Sequence, residues 1–191
     1  MTTQEAKSYT AFVNNENLLT GSMIQVALKV KNHLQKHKKD SVLVFDDTTG
    51  TVVDLDLRGT SEDIVKRLHS PEMQIEDLNP GPGRPRLGVV SKEITLLPLH
   101  WEWLKAQPGG ASVTLRKLVD EAKKKNHAKD VIRHAQEITY KFMTAMAGDL
   151  IGYEDALRAL YANKPAEFKK IISAWPKDIY DYTLKLAKNA F

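Results

Sequence analysis

The sequence contains no cysteine, and this absence removes several classes of chemistry. Without cysteine the chain has no disulfide, no thiolate nucleophile and no cysteine-liganded zinc site. No uninterrupted apolar run reaches the roughly 18 residues that a membrane-spanning helix needs. The first residues, MTTQEAKSYT, lack the apolar stretch of a secretory signal peptide, so we expect a cytoplasmic protein.

Familiar catalytic motifs are also missing. The sequence has no Gly-x-Ser-x-Gly elbow, no Gly-rich phosphate loop and no His-Glu-x-x-His metal motif. We therefore expect a protein that is not an enzyme and has no cofactor or bound metal. A weaker alternative is a metal-dependent enzyme, because one predicted hairpin carries four carboxylates: Asp46, Asp47, Asp54 and Asp56. His33 and His37, four residues apart on a predicted helix, are the other candidate metal ligands.

Positive charge is concentrated in the middle of the chain. The 191 residues carry a net charge of +4, and they suffice for one large domain or two small ones. Residues 80–128 hold nine basic and four acidic side chains, a net charge of +5. Such a local excess suggests an anionic partner such as nucleic acid, and the simpler interpretation is a solvated helix face.

The periodicity of residues 1–70 predicts a small β-β-α-β-β-α unit. Short apolar runs around an Asn/Glu turn predict a hairpin over residues 9–19, and alternating valines and leucines predict another over 41–58. Ser22 is the predicted N-cap of the first helix, and Thr60 begins the predicted cap of the second.

A predominantly α-helical C-terminal domain is predicted to follow, which makes the fold class α+β. Residues 71–86 contain Pro and Gly at high density and are predicted to be a linker or an extended arm. Residues 87–126 form a strand-helix-turn-helix pattern. Residues 127–191 carry apolar side chains at helical spacing and are predicted to form a helical bundle.

The segment 87–126 resembles the ribbon-helix-helix DNA-binding proteins. The strand-like run 91–97 is followed by a helical run, by the turn Pro108-Gly109-Gly110, and by a second helical run capped by Ser112. The resemblance implies a homodimer whose paired ribbons enter the major groove of DNA. It also implies that Thr95 lies on the groove face, and that Ser112 and Arg116 hold a phosphate at the start of the second helix.

The preceding segment carries a second resemblance to DNA-binding proteins. Gly83-Arg84-Pro85-Arg86 resembles the core of an AT-hook, a motif that lies in a narrow minor groove. If the protein binds DNA, we expect Arg84, Arg86 and Lys92 to contact phosphates or the minor groove. The alternative is that these residues form only a linker.

Three tryptophans and a leucine are informative about packing. Trp101, Leu104 and Trp175 are predicted to fill the helical core, with stacking on nucleic-acid bases as the alternative. Trp103 is predicted to pack at a dimer interface or against the N-terminal unit.

Segments along nearly the whole chain resemble an uncharacterised bacterial family, one of the domains of unknown function. They are FDDTTGTVVDLDLRGT, LGVVSKEITLLPLHWEWLKAQPGGAS, LRKLVDEA, MAGDL, EDALRALYA and WPKDI. The resemblance implies a bacterial protein and supplies no activity. We predict a dimeric DNA-binding regulator or antitoxin-like protein, and the alternative is a protein-interaction or small-ligand module that does not bind DNA.

Overall fold

The structure is a computed structural model that describes residues 7–69, 90 and 92–191. Within these residues a three-stranded antiparallel sheet accompanies seven α-helices, which confirms the α+β class with a mostly helical C-terminal part. The strands are β1 (Tyr9–Val13), β2 (Glu16–Gly21) and β3 (Val42–Asp46). The helices are α1 (Met23–Lys36), α2 (Ser61–His69), α3 (Pro98–Ala106), α4 (Gly110–Met146), α5 (Tyr153–Tyr161), α6 (Pro165–Ile172) and α7 (Lys177–Leu186), followed by a 3₁₀ turn (Ala187–Asn189).

The predicted N-terminal hairpin is present. β1 and β2 pair antiparallel, and Val13 opposite Glu16 leaves a two-residue turn. Asn14 adopts the left-handed conformation in this turn, with φ of 53°, which asparagine tolerates better than most residues. β3 pairs antiparallel with the other edge of β1, so β1 is the central strand in the order β2-β1-β3.

The second predicted hairpin, over residues 41–58, is formed only close to its turn. Only its first half is a strand, and beyond the turn a single bridge joins Phe45 to Val52. The backbone carbonyls farther along the chain accept hydrogen bonds from side chains instead of from a neighbouring strand. The Lys31 ammonium donates to the Leu57 carbonyl at 3.3 Å and to that of Gly59. The Val53 N–H still donates to the Val44 carbonyl of β3 at 2.7 Å. Beyond Val53, Lys31 of α1 and Arg67 of α2 bind the backbone carbonyls, and no further pairing with β3 forms among the described residues.

Both predicted helix starts in the N-terminal region are confirmed. The Ser22 hydroxyl accepts from the Gln25 N–H, and the Gln25 side chain accepts from the Ser22 N–H, which completes a capping box for α1. Thr60 and Asp63 make the same reciprocal pair before α2.

Both faces of β1 are covered, and all five of its residues are buried. One face packs with α1 through a cluster that includes Tyr9, Ala11 and Val26. The other face contributes Phe12 to a larger cluster with the C-terminal helices. The Phe142 ring of α4 lies with its centroid 5.4 Å from that of Phe12, and the remaining members of this aromatic group, Phe45 and Tyr182, lie 5.0 and 4.6 Å from Phe142.

The helices predicted over 112–125 and 128–147 form one continuous helix, α4. It contains 37 residues, which corresponds to a length of about 55 Å at the rise of an α-helix. The predicted break fell in Lys-Asn-His-Ala, residues 125–128, which contain neither glycine nor proline. Nothing there interrupts the backbone hydrogen bonds, so the helix continues.

The chain forms two compact units. The first combines Met1–Ser70 with Lys129–Phe191, and the second is Pro71–Ala128. From the sequence we predicted a boundary at residue 70 and a separate bundle over residues 127–191. In the structure the sheet and the C-terminal helices share one core, because the two faces of β1 need partners from both ends of the chain.

Candidate interaction surface

The second unit contains a helical hairpin made by α3 and the beginning of α4. Pro98 occupies the first turn of α3, where its missing N–H costs nothing. The connection to α4 passes through Gly109 and Gly110, with φ of 88° and 74°, which are positive values that favour glycine. The sequence therefore makes a short reversal between two helices.

The two helices of this hairpin frame an apolar cavity of about 510 Å³. We call its lining the hairpin surface, formed by Leu96, Leu99, His100, Trp103, Leu104, Leu115 and Leu118. Leu99 is 71% exposed, Trp103 51% and Leu118 43%. Of the lining side chains only Leu104 is buried, so a large apolar surface faces solvent.

This exposure is unusual for a folded unit. Among residues 92–128 Leu104 is the single buried residue, so this part of the chain has no core of its own. Contiguous exposed apolar surface of this kind marks a site where another molecule packs. Further apolar side chains are exposed nearby in the sequence, namely Val90, Ile94, Leu97 and Val119.

The six residues predicted to contact DNA lie in three different parts of the chain. Arg84 and Arg86 lie outside the described residues. Lys92 and Thr95 are exposed on an irregular segment before α3. Ser112 and Arg116 are exposed one turn apart on α4.

Ser112 does not cap α4 as predicted. The helix begins at Gly110, so Ser112 is its third residue and not its N-cap. The Arg116 Nε–H donates to the Ser112 carbonyl at 3.1 Å, which ties this guanidinium to its own helix. The two residues are neighbours on α4, but Ser112 does not present the open helix end that the resemblance implied.

The predicted ribbon is not a strand in the described chain. Residues 92–97 have no regular secondary structure, and the second helix of the resemblance is part of the 37-residue α4. The ribbon-helix-helix resemblance is therefore not shown by the structure. The helix-turn-helix order of the segment is retained, because the turn is made by Gly109 and Gly110.

A polar network around Asp47 lies in the first unit, between the sheet and α7. The Asp47 carboxylate accepts from the hydroxyls of Ser8 at 3.0 Å, Thr10 at 2.7 Å and Tyr182 at 2.6 Å. It also accepts from the Lys185 ammonium at 2.8 Å. These four bonds satisfy a carboxylate that is only 9% exposed and connect the two ends of the chain.

Burial and hydrogen bonding have opposite effects on the pKa of the Asp47 carboxyl. Burial acts to raise the pKa of the Asp47 carboxyl. Hydrogen bonds from Lys185, Tyr182 and Thr10 outweigh burial and hold this pKa below its ordinary value. Burial and the neighbouring Asp47 charge raise the pKa of Tyr182 above its usual range. The network therefore holds a carboxylate and a neutral phenol together.

Two of the other carboxylates of the predicted metal hairpin, Asp46 and Asp56, also have partners, and Asp54 is exposed. The Asp46 carboxylate accepts from the Thr48 N–H at 2.7 Å, which forms the turn after β3. Asp56 pairs with the Arg58 guanidinium at 2.9 Å. Within the part of the chain that the structure describes, no three His, Asp or Glu side chains are arranged to hold a metal ion.

The tryptophan predictions are confirmed for Trp175, which is 6% exposed, and Leu104 is buried as predicted. Trp101 is half-buried, and Trp103 is exposed. The run LLPLHWEWLKA offered a signal for the hairpin surface, because it carries more large apolar side chains than one face of a nine-residue helix can bury. The Asp47 network had no such signal, since its members lie 37 to 138 positions apart.

No helix among the described residues is both long and apolar enough to span a bilayer. No curated protein and no solved structure matches the chain. Residues 8–187 match a family described as uncharacterized proteins conserved in bacteria. This match covers nearly the whole chain, in agreement with the resemblance that the sequence segments showed. The chain thus belongs to DUF2239, a bacterial family of conserved proteins without an assigned activity.

Proposed function

We propose that this protein acts as a homodimer joined through the hairpin surface, and that its role in the bacterial cytoplasm is binding rather than catalysis. The observation that carries the proposal is the exposure of Leu99, Trp103 and Leu118 around one apolar cavity. Side chains of this size on an exposed face gain free energy when a second apolar surface removes them from water.

A second copy of the chain suits this surface better than a charged partner. His100 is the one polar residue in the lining of the cavity, so the surface offers no ion pair to a charged macromolecule. A two-fold axis places an apolar patch against its own copy, which makes the surface self-complementary. Two helical hairpins packed in this way form a four-helix bundle, which supplies the missing second layer of a core.

Light scattering after gel filtration tests the dimer. The wild-type protein is expected to have twice the monomer mass of 21.5 kDa at micromolar concentration. Trp103→Lys places a charge in the centre of the hairpin surface and is expected to give monomers, because burying an unpaired ammonium is strongly unfavourable.

Ile151→Lys is the matched control, since Ile151 is 89% exposed and lies in the other unit. This variant is expected to remain dimeric. A monomeric wild-type protein, or equal dissociation of the two variants, would refute the proposal. Monomers in which Trp103 is protected from quenching by acrylamide would show that the chain covers the surface by itself.

DNA binding is a second candidate function, supported by exposed positive charge on α4. The first part of this helix carries a group of exposed basic side chains: Arg116, Lys117, Lys123, Lys124 and Lys125. Two acidic residues, Asp120 and Glu121, lie among them. A dimer would present this group twice, and multiple cations on one face attract the phosphate backbone.

Fluorescence anisotropy with a mixed-sequence duplex at two salt concentrations tests DNA binding. Contacts to several phosphates predict an affinity that falls steeply with salt, with a log-log slope of about −0.9 per phosphate contacted. Changing Lys123, Lys124 and Lys125 to Gln is expected to make the dependence of affinity on salt less steep. The double change Arg84→Ala and Arg86→Ala tests the predicted arm separately. Absence of binding at low salt would leave dimerisation as the function of this unit.

A further inference from the structure

A polar pocket lies between the β1–β2 turn and α1, within the unit that contains the sheet. Its cavity volume is about 440 Å³. It adjoins a second hollow of about 240 Å³ and shares Leu18, Lys29 and His33 with it. We call the two hollows together the α1 pocket. A space of this size accommodates a small metabolite.

One wall of the α1 pocket is a basic stripe of α1. Lys29, His33, Lys36 and His37 follow helical spacing and line the two hollows. Neither the Lys29 nor the Lys36 ammonium lies within ion-pair distance of a carboxylate among the residues that the structure describes. The pocket is also lined by the carboxylates of Glu16 and Asp40, and Asp40 is paired with His33. The two unpaired ammonium groups and two imidazoles on the α1 wall outnumber these carboxylates and favour an anionic ligand.

The imidazole of His33 is held in place by Asp40. The turn from His37 to Asp40 returns the chain to α1, and the Asp40 carboxylate lies 2.7 Å from Nε2 of His33. Because a carboxylate accepts, Nε2 carries the proton, and Nδ1 makes no hydrogen bond to any described residue.

The geometry of the two histidines does not suit a metal ion. The rings of His33 and His37 stack with centroids 4.7 Å apart and planes inclined by 24°. Imidazole lone pairs lie in the ring plane, so nearly parallel rings direct them side by side rather than toward one ion.

The opposite wall supplies amides from the β1–β2 turn. Asn14, Asn15 and Asn17 line the pocket, and their side-chain amides make no hydrogen bond within the described residues. The backbone of this wall is fixed, because the Asn14 N–H donates to the Ser41 carbonyl at 3.1 Å and the Asn17 N–H to the Asp178 carboxylate at 2.8 Å. Carboxamides donate and accept hydrogen bonds, as recognition of hydroxyl groups requires.

We propose that the α1 pocket binds a small phosphate monoester that carries hydroxyl groups, such as a sugar phosphate. Its phosphate contacts Lys29, Lys36 and His33, and its hydroxyls contact the asparagine wall. The proposal is independent of the hairpin surface, since every lining residue of the pocket belongs to the other unit.

Isothermal titration calorimetry with ribose 5-phosphate tests the site, with ribose and inorganic phosphate as comparison ligands. Saturable binding at one site per chain is expected, tighter than for either comparison ligand. Lys29→Ala removes a charge from the wall and is expected to weaken binding about tenfold, since a charge-assisted hydrogen bond contributes about that factor. His33→Gln is expected to weaken it by a similar factor.

Lys39→Ala is the matched control, because Lys39 is exposed in the same part of the chain and does not line the pocket. It is expected to leave the affinity within about twofold. No saturable binding of ribose 5-phosphate, or equal weakening by Lys29→Ala and Lys39→Ala, would overturn the proposal. Duplex DNA that displaces ribose 5-phosphate and binds more tightly through Lys29 would also overturn it in favour of nucleic acid.

Discussion

The two compact units cover their apolar side chains in different ways. In the unit that contains the sheet, β1 is buried on both faces, and Phe12, Phe142 and Leu160 have no solvent exposure. In residues 92–128 the single buried residue is Leu104, and Leu99 is 71% exposed. Both regions have helices with apolar side chains, but only the first brings enough elements together to enclose them. Residues 92–128 therefore leave an apolar face uncovered, and this is the face to which we assign the proposed dimer contact.

Replacing one leucine in each unit is expected to give the largest contrast. Leu160→Ala removes a fully buried side chain and is expected to lower the free energy of unfolding by about 3–5 kcal/mol. Leu99→Ala alters a mostly exposed side chain, so its cost in the monomer is below about 1 kcal/mol. Urea denaturation followed by circular dichroism measures both. The proposed dimer predicts that the cost of Leu99→Ala grows with protein concentration, and equal, concentration-independent costs for the two variants would contradict the contrast.

Two glycines with positive φ provide a second contrast. A Cβ at Gly50, where φ is 67°, would lie 2.6 Å from the Ile138 carbonyl oxygen of α4. A Cβ at Gly110, where φ is 74°, would meet no atom within 4 Å. Gly50→Ala is expected to cost about 2–3 kcal/mol from backbone strain and displacement of α4, and Gly110→Ala about 1 kcal/mol from strain alone. Thermal unfolding of the two variants gives the comparison, and a larger loss at Gly110 would refute it.

Substitution of Asp47 measures how much its hydrogen bonds stabilise the contact between the two ends of the chain in the first unit. Asp47→Asn exchanges one acceptor oxygen for an NH₂ group that faces donors, and it is expected to cost about 2 kcal/mol. Lys185 is 53% exposed, so most of this cost comes from the hydroxyl bonds rather than from the ion pair. Asp54→Asn is the matched control, because Asp54 is exposed. Its expected change is below about 0.5 kcal/mol in the same urea denaturation experiment.

The smallest expected effect is a dependence of stability on pH. The pKa of Asp47 is lowered on folding, so the ionised carboxylate stabilises the native state above the unfolded-state pKa of about 3.9. This contribution is lost as the pH falls through the lower, native-state pKa. The stability difference between wild type and Asp47→Asn is expected to be constant from pH 5 to 7 and to become smaller below pH 4. If the stability difference between the two proteins became larger below pH 4, the pKa of Asp47 would not be lowered on folding.

Local signals in the sequence predicted much of the fold. Ser22 and Thr60 mark the starts of α1 and α2, and the Asn-rich turn produces the first hairpin. The helical character of residues 127–191 is confirmed, and α6 begins at a proline, a start signal that acts within one turn. Signals of this kind act over a few residues and do not depend on the rest of the chain.

The predictions that were wrong concern two kinds of element. Some depend on contacts with residues far away in the sequence, and others were predicted to end where no glycine or proline ends a helix. Residues 51–58 alternate like a strand, but Lys31 holds the carbonyls of Leu57 and Gly59. Ser112 has the chemistry of an N-cap, but α4 begins two residues earlier because Gly110 already adopts the turn. The two helices predicted to meet at residues 125–128 are continuous, because no glycine or proline lies there.

The candidate sites also combine features that are visible in the sequence with features that depend on tertiary contacts. The amino-acid sequence alone determined the excess of apolar side chains around α3 and the basic spacing of α1, since both are patterns of neighbouring residues. Only the tertiary structure decided that Leu99, Trp103 and Leu118 stay exposed, that Asp40 returns to His33, and that Asp47 meets Tyr182. Which side chains are left without partners depends on how distant segments pack, and no local pattern contains that information.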